Sequence, residues 1–110
     1  MYEVKAIVRR ERLHDVIGAL HEMADVPGIT VSVVTGIGRR TGAGPSETVE
    51  YGETDMAKLE LVVPEALRDR VVQAVQQAGS TGHAGDGKVF ITRVEDAVTI
   101  RSGAHGLEAL

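Results

Sequence analysis

The chain has 110 residues, no cysteine and a net charge of −4 at pH 7, which excludes a disulfide framework, thiolate catalysis and a general affinity for nucleic acid or anionic lipid. A single domain over residues 1–110 is expected, with an aliphatic core because aromatic residues make up only 3%. No stretch approaches the roughly 20 apolar residues that span a bilayer, and no export signal is recognisable, so a cytoplasmic protein without membrane insertion is expected.

The first half of the chain is predicted to form a strand, a helix and a second strand. The strands cover 2–8 and 29–35, where Val and Ile are frequent. Between them, apolar residues with helical spacing predict one buried stripe, made up of Leu13, Val16, Ile17, Leu20 and Met23. Pro27 and Gly28 cannot continue a helix, so it should end near Asp25.

The middle of the chain, 36–57, is predicted to be a long loop. It is rich in glycine and acidic residues, contains Pro45 and has no sustained periodicity. A loop of this length in a small domain is usually functional or disordered. We expect flexibility over about 40–57, with either a solvated acidic surface or a site for docking a partner.

The second half repeats the strand–helix–strand order. It consists of a strand over 58–63, a helix entered at Pro64, and a strand over 88–94. The apolar stripe of this helix is Leu67, Val71, Ala74, Val75 and Ala78. A short extra strand over 97–101 and a mobile tail over about 103–110 are expected after it. The order βαββαβ predicts an α+β, ferredoxin-like fold with two helices on one face of an antiparallel sheet, whose other face is available for contact between subunits.

The turn before the last strand carries the clearest chemical signal. Gly82, Gly85 and Gly87 allow backbone N–H groups to approach a ligand closely, and Lys88 adds a cation, a combination that suits phosphate. A glycine-rich connector that happens to carry a lysine is the alternative. A nucleoside-triphosphatase P-loop is excluded, because this turn leads from a helix into a strand and Val89 replaces the magnesium-binding Ser or Thr.

Two further basic elements are candidates for the same ligand. Gly36, Ile37 and Gly38 precede Arg39 and Arg40. Arg101 lies near the end of the chain. The three elements could converge on one polyphosphate, although scattered surface arginines are the alternative. The four histidines lack the spacing of metal ligands, and no catalytic set of residues is recognisable, so neither a metal site nor an enzyme is predicted.

The glycine turn, read as Thr81-Gly82-x-x-Gly85-Asp86-Gly87-Lys88-Val89-Phe90, resembles the C-terminal signature of the PII signal-transduction family. The resemblance extends to the segments 28–31, 36–39, 62–64 and 100–103, and so covers nearly the whole chain. It implies a homotrimer that binds ADP, AMP or ATP in clefts between subunits, without a prosthetic group. It also implies that the long loop, called the T-loop, changes shape with the ligand.

By position, the resemblance assigns specific roles to residues of this chain. Phosphates would be held by Gly85, Asp86, Gly87 and Lys88 together with Arg39 and Arg101, with Gly38 beside them. The nucleoside would be surrounded by Thr30, Gly36, Ile37 and Val62. The partner-binding loop would present Arg40, Glu47, Glu50 and Tyr51 to a membrane transporter or an enzyme, with bicarbonate or nitrogen transport as the regulated process.

Three residues depart from the family pattern. Arg40 stands where members that sense 2-oxoglutarate have glutamine, Met56 where they have lysine, and Thr99 where an arginine is usual. The departures argue against a response to 2-oxoglutarate and favour ADP or AMP as competitors of ATP. The alternative function is a metal-responsive or scaffolding trimer of the same fold without nucleotide sensing.

Overall fold

The computed structural model describes residues 1–41 and 49–110, and of residues 39–41 and 49–51 it describes the backbone alone. Strands and helices follow one another in the predicted order. They are β1 (Tyr2–Arg9), α1 (Leu13–His21), β2 (Thr30–Thr41), β3 (Val49–Val63), α2 (Glu65–Gly79) and β4 (Gly87–Arg93). The predicted α+β class and βαββαβ order are therefore confirmed.

The four strands form one antiparallel sheet in the order β2-β3-β1-β4. Because side chains alternate between the faces of a strand, β1 and β3 each send every second residue into the core beneath the helices. The core consists of Val4, Ala6, Val8, Ala57, Leu59, Leu61, Val63, Val16, Leu20, Leu67, Val71 and Val75. Both predicted helical stripes thus supply buried residues. Within the described part of the chain, no helix combines the length and apolar character needed to cross a membrane.

The face of the sheet opposite the helices, here called the open face, is a mixture of charged and apolar residues. β1 presents Glu3, Lys5 and Ile7 there, each paired in register with a residue of β3. Lys58 and Glu60 of β3 form an ion pair of 3.1 Å on this face. Phe90 of β4, which pairs with Lys5, is 48% exposed. A face of this composition offers both apolar area and ion pairs to whatever covers it.

The prediction of a loop over 36–57 was wrong for the described residues. β2 continues to Thr41 and β3 begins at Val49, and the two strands pair without interruption from Thr30 opposite Glu60 to Thr41 opposite Val49. We call residues 36–41 of β2 and 49–54 of β3 the arm. The arm lies beyond the helices, and the molecule is 59 Å long but 25 by 21 Å across. The arm is held together by hydrogen bonds between its strands and not by a buried core. Its sequence therefore needs no alternation of apolar and polar residues.

The C-terminal segment also differs from the prediction. Instead of a strand over 97–101, a single bridge joins Val98 to His105, and a 3-10 turn spans Gly106–Ala109 where a mobile tail was expected. Asp96 adds to the backbone bonds that close this segment: it accepts hydrogen bonds from the backbone N–H groups of Ala97 (2.8 Å) and Gly106 (3.1 Å). It also lies 2.8 Å from Nδ1 of His105. These bonds, with that of His105 first in effect, lower the pKa of Asp96.

One arginine joins the turn after β1 to the end of α2. Arg12 donates from Nε and Nη2 to the carbonyl oxygen of Ala78, at 2.9 and 2.7 Å. The last carbonyl groups of a helix have no partner within the helix. Arg12 therefore satisfies one of them and ties the last turn of α2 to the segment that follows β1.

Candidate functional site

The glycine turn, residues 81–88, connects α2 to β4. Three of its glycines adopt positive φ: Gly82 (80°), Gly85 (91°) and Gly87 (109°). Other residues adopt such angles only at a cost. At Gly87 a side chain is also excluded by contact, because a Cβ atom there would overlap the carbonyl oxygen of Ile7 and lie 2.8 Å from its carbon. The backbone conformation of the turn therefore requires glycine at these positions.

The carboxylate of Asp86 is the centre of the turn. It accepts hydrogen bonds from the backbone N–H groups of Thr81 (2.7 Å) and Gly82 (3.0 Å), from the Thr81 hydroxyl, and from Nε of Arg9 (2.8 Å). The Thr81 hydroxyl, followed by Arg9, lowers the pKa of Asp86 well below its ordinary value of 3.8. The side chain that the resemblance assigned to phosphate is thus used to shape the turn.

Arg9 is a member of this site that the sequence did not reveal. It lies at the end of β1, 77 residues before Asp86, and also donates from Nη2 to the carbonyl oxygen of Ala84 at 2.8 Å. No local spacing links residues so far apart in sequence. The pairing of β1 with β4, which places Val8 opposite Gly87, brings them together.

A cleft of about 390 Å³ lies beside the turn at one end of the open face, and we call it the lysine cleft. It brings together two of the three elements predicted to converge on a polyphosphate, the glycine turn and the segment that begins at Gly36. The lining comes from Gly36, Ile37 and Gly38 of β2, Gly85, Gly87 and Lys88 of the glycine turn, and Ile7, Thr54, Met56 and Phe90. Among these lining residues Lys88 is the one cation, and the walls are largely apolar.

Thr30 and Val62 line a different cleft, of about 280 Å³, which we call the Thr30 cleft. It is formed with Glu3, Gly28, Glu60, Leu61 and Leu110. Six positions of β2 separate Thr30 from Gly36, which corresponds to roughly 20 Å at about 3.3 Å per residue. A single chain therefore does not gather the residues predicted to surround one nucleoside.

Arg101 lies in neither cleft. It is exposed in a tight turn closed by hydrogen bonds from Thr99 N to Ala104 O (2.9 Å) and from Gly103 N to Thr99 O (2.8 Å). Among the described residues, its guanidinium is not brought to the glycine turn within one chain. Its predicted contact with phosphate would have to be made across a subunit boundary.

The remaining predicted residues belong to the arm. Arg39 and Arg40 lie in β2 opposite Tyr51 and Glu50 of β3, and this pairing describes their backbone alone. Glu47 lies outside the described residues. No group of three or more acidic or histidine side chains that could hold a metal ion occurs within residues 1–38 and 52–110.

The lowered pKa of Asp86 makes the stability of the turn pH-dependent. The ionised carboxylate stabilises the folded state, so its contribution is complete above the ordinary pKa of 3.8 and is lost as the pH falls below that value. We expect the free energy of unfolding to be larger for wild type than for Asp86→Asn. This difference should stay constant from about pH 7 to about pH 5 and should become smaller below about pH 4. Urea unfolding at fixed protein concentration measures this, with Asp69→Asn as control; an unchanged difference at low pH would contradict it.

Comparisons with known proteins agree with this architecture. The family model described as nitrogen regulatory protein P-II matches residues 1–104. A nitrogen regulatory protein P-II of Rhodospirillum rubrum is 38% identical over 115 residues, covering 100% of both chains. Among solved structures, a GlnK–ATP complex of B. subtilis has a TM-score of 0.84 at 28% identity, covering 99% of this chain and 96% of that one. Arabidopsis thaliana PII bound to citrate has a TM-score of 0.81 at 32% identity, covering 99% and 91%.

Proposed function

Because the chain belongs to the nitrogen regulatory protein P-II family, whose members are regulators and not enzymes, we propose that it is a cytoplasmic homotrimer that senses adenine nucleotides. ADP, AMP or ATP would bind in clefts between subunits, and the arm would pass the ligand state to a membrane transporter or an enzyme. Bicarbonate or nitrogen transport is the process we propose for the transporter. The observation that carries this proposal is the meeting of two glycine-bearing segments and Lys88 in the lysine cleft.

The lysine cleft has the chemistry that a phosphate chain needs. Glycines on both sides allow backbone N–H groups to approach phosphate oxygens, and the Lys88 ammonium supplies the opposite charge. The chain as a whole carries −4, so attraction of an anion has to be local. The relative that was solved as an ATP complex has the same fold, which supports a nucleotide as the ligand.

We place the complete site between subunits because the two clefts share no lining residue, and Thr30 and Gly36 lie at separate positions along β2. The Thr30 cleft of one subunit and the lysine cleft of the next would together enclose one nucleotide. Arg101, exposed and outside both clefts, would then reach phosphate from the neighbouring chain. The open face supplies the area for such an assembly, since Phe90 and the Lys58–Glu60 pair lie there.

The arm is proposed to be the output of the sensor. Its base shares residues with the lysine cleft: Gly36, Ile37, Gly38 and Thr54 belong to both. A ligand that contacts these residues therefore acts directly on the strands of the arm. Arg40, Glu47, Glu50 and Tyr51 are the residues that we propose contact the regulated partner.

Isothermal titration of the purified protein with ATP, ADP and AMP tests the nucleotide proposal, and sedimentation tests for a particle of three chains. We expect dissociation constants below about 1 mM, equivalent to more than about 4 kcal/mol of binding free energy. No heat with any nucleotide would refute nucleotide sensing. A thermal shift with zinc or copper in its place would favour the metal-responsive alternative, and a trimer that binds neither would favour a scaffold.

A further inference from the structure

We propose that Arg9 is a positioning residue that holds the glycine turn in its phosphate-binding shape, an inference that rests on the proposed function of the lysine cleft. Its guanidinium donates to the Asp86 carboxylate and to the Ala84 carbonyl oxygen, both at 2.8 Å. A Cβ atom on Gly85 would lie 3.3 Å from Nη2 of Arg9. The planar guanidinium therefore lies directly against the three consecutive residues 84–86.

The turn needs such a support because of its composition. Three glycines within six residues give the unfolded turn many accessible conformations. Fixing each residue in one conformation costs free energy, and a ligand that had to order the turn on binding would lose that amount from its affinity. Arg9 removes this cost in advance, because it fixes Ala84 through its carbonyl group and Asp86 through its carboxylate. Because Gly85 and Gly87 come directly after these two fixed residues, the directions of their backbone N–H groups are fixed as well.

The geometry argues for positioning rather than for direct contact with phosphate. Two donor nitrogens of Arg9 are already bound to the turn, and the side chain is only 24% exposed. Arg9 is also absent from the residues that line the lysine cleft, whereas Met56, its register partner in β3, is among them. Arg9 thus contacts the turn without lining the lysine cleft.

The test compares ATP binding by Arg9→Met with binding by Arg12→Met. The two arginines make the same kind of contact, a guanidinium donating to groups distant in sequence, but Arg12 binds Ala78 and leaves the glycine turn alone. We expect Arg9→Met to weaken ATP binding about tenfold and Arg12→Met to change it less than about twofold. Arg9→Lys, which keeps the charge without the fork, should fall between wild type and Arg9→Met.

A double-mutant cycle with Asp86→Asn separates positioning from direct contact. If Arg9 acts through its contact with Asp86, the double variant loses little more affinity than either single variant. Fully additive losses would mean that the two side chains affect nucleotide binding independently and would overturn the proposal. Unchanged binding by Arg9→Met, or an equal loss in Arg12→Met, would also overturn it.

Hydrogen exchange of the nucleotide-free protein tests the role of Arg9 independently of the proposed function. The amides of Thr81 and Gly82 donate to Asp86, so hydrogen exchange at these two amides should accelerate in Arg9→Met and not in Arg12→Met. Absence of nucleotide binding by wild type would refute the proposed function and, with it, the role in phosphate binding. Binding by wild type with unaltered exchange in Arg9→Met would overturn the role of Arg9 alone.

Discussion

Replacement of Gly87 by alanine is expected to destabilise the folded protein by more than about 3 kcal/mol. Two penalties add at this position. The φ angle of 109° lies outside the regions open to alanine. The new Cβ atom would in addition overlap the Ile7 carbonyl oxygen, which belongs to β1, one of the two inner strands, and cannot move without disturbing the sheet.

Gly82→Ala is the matched control for this prediction. Gly82 also has positive φ, 80°, but a Cβ atom there has no neighbouring atom within 4 Å. Only backbone strain remains, and we expect a cost of about 1–2 kcal/mol. Urea unfolding at fixed protein concentration measures both variants, and failure of Gly87→Ala to fold counts as the expected result. Equal costs for the two variants would show that the contact with Ile7 is relieved without loss.

Replacement of Lys88 by methionine is expected to cause the largest loss of nucleotide affinity of any single substitution in the lysine cleft. Lys88 is the cation among the described lining residues, and methionine keeps most of the side-chain volume while it removes the charge. Loss of a hydrogen bond to a charged group corresponds to a roughly tenfold to hundredfold weaker binding of ATP. Isothermal titration with ATP and AMP measures the loss for a long and a short phosphate chain.

The control for the lysine substitution is Arg70→Met. Arg70 is exposed on α2, away from the residues that line the lysine cleft, and its loss changes the net charge by the same amount. It should leave the affinity within about twofold of wild type, because charges beyond a Debye length are largely screened. An equal loss in both variants would mean that net charge, and not Lys88 itself, attracts the nucleotide.

The sequence predicts the parts of this fold that depend on burial. Leu67, Val71 and Val75 are buried where helical periodicity places them, and Val4, Ala6 and Val8 alternate as a half-buried strand requires. Burial imposes a period on the sequence, and the period can be recognised without knowing the partner. The order of elements followed from these patterns.

The arm and the C-terminal segment escaped prediction for the opposite reason. Strands that lie beyond the core require only a hydrogen-bonded partner, so glycines such as Gly36 and Gly38 are tolerated within β2 and look like loop residues. Around Asp96, side-chain bonds to Ala97 and Gly106 supplement a few backbone bonds where a full strand ladder was expected. Neither arrangement leaves a periodic signal.

Prediction of the site was limited by distance along the chain. The turn itself was recognisable because its glycines lie close together in sequence. The sheet then brings it beside Gly36, Ile37 and Gly38 in the lysine cleft. Arg9 is separated from Asp86 by 77 residues, and an arginine at the end of a strand has no distinguishing feature. The use of the Asp86 carboxylate within the turn is likewise visible only in three dimensions.

The separation of the Thr30 cleft from the lysine cleft has a consequence for how the protein would respond to its own abundance. In the proposed trimer each nucleotide bridges two chains, so the free energy of ligand binding is coupled to that of subunit association. By linkage, nucleotide then tightens the assembly by the same factor by which assembly tightens nucleotide binding. Dilution would therefore weaken the apparent affinity, and the concentration of the chain would set the nucleotide level to which it responds.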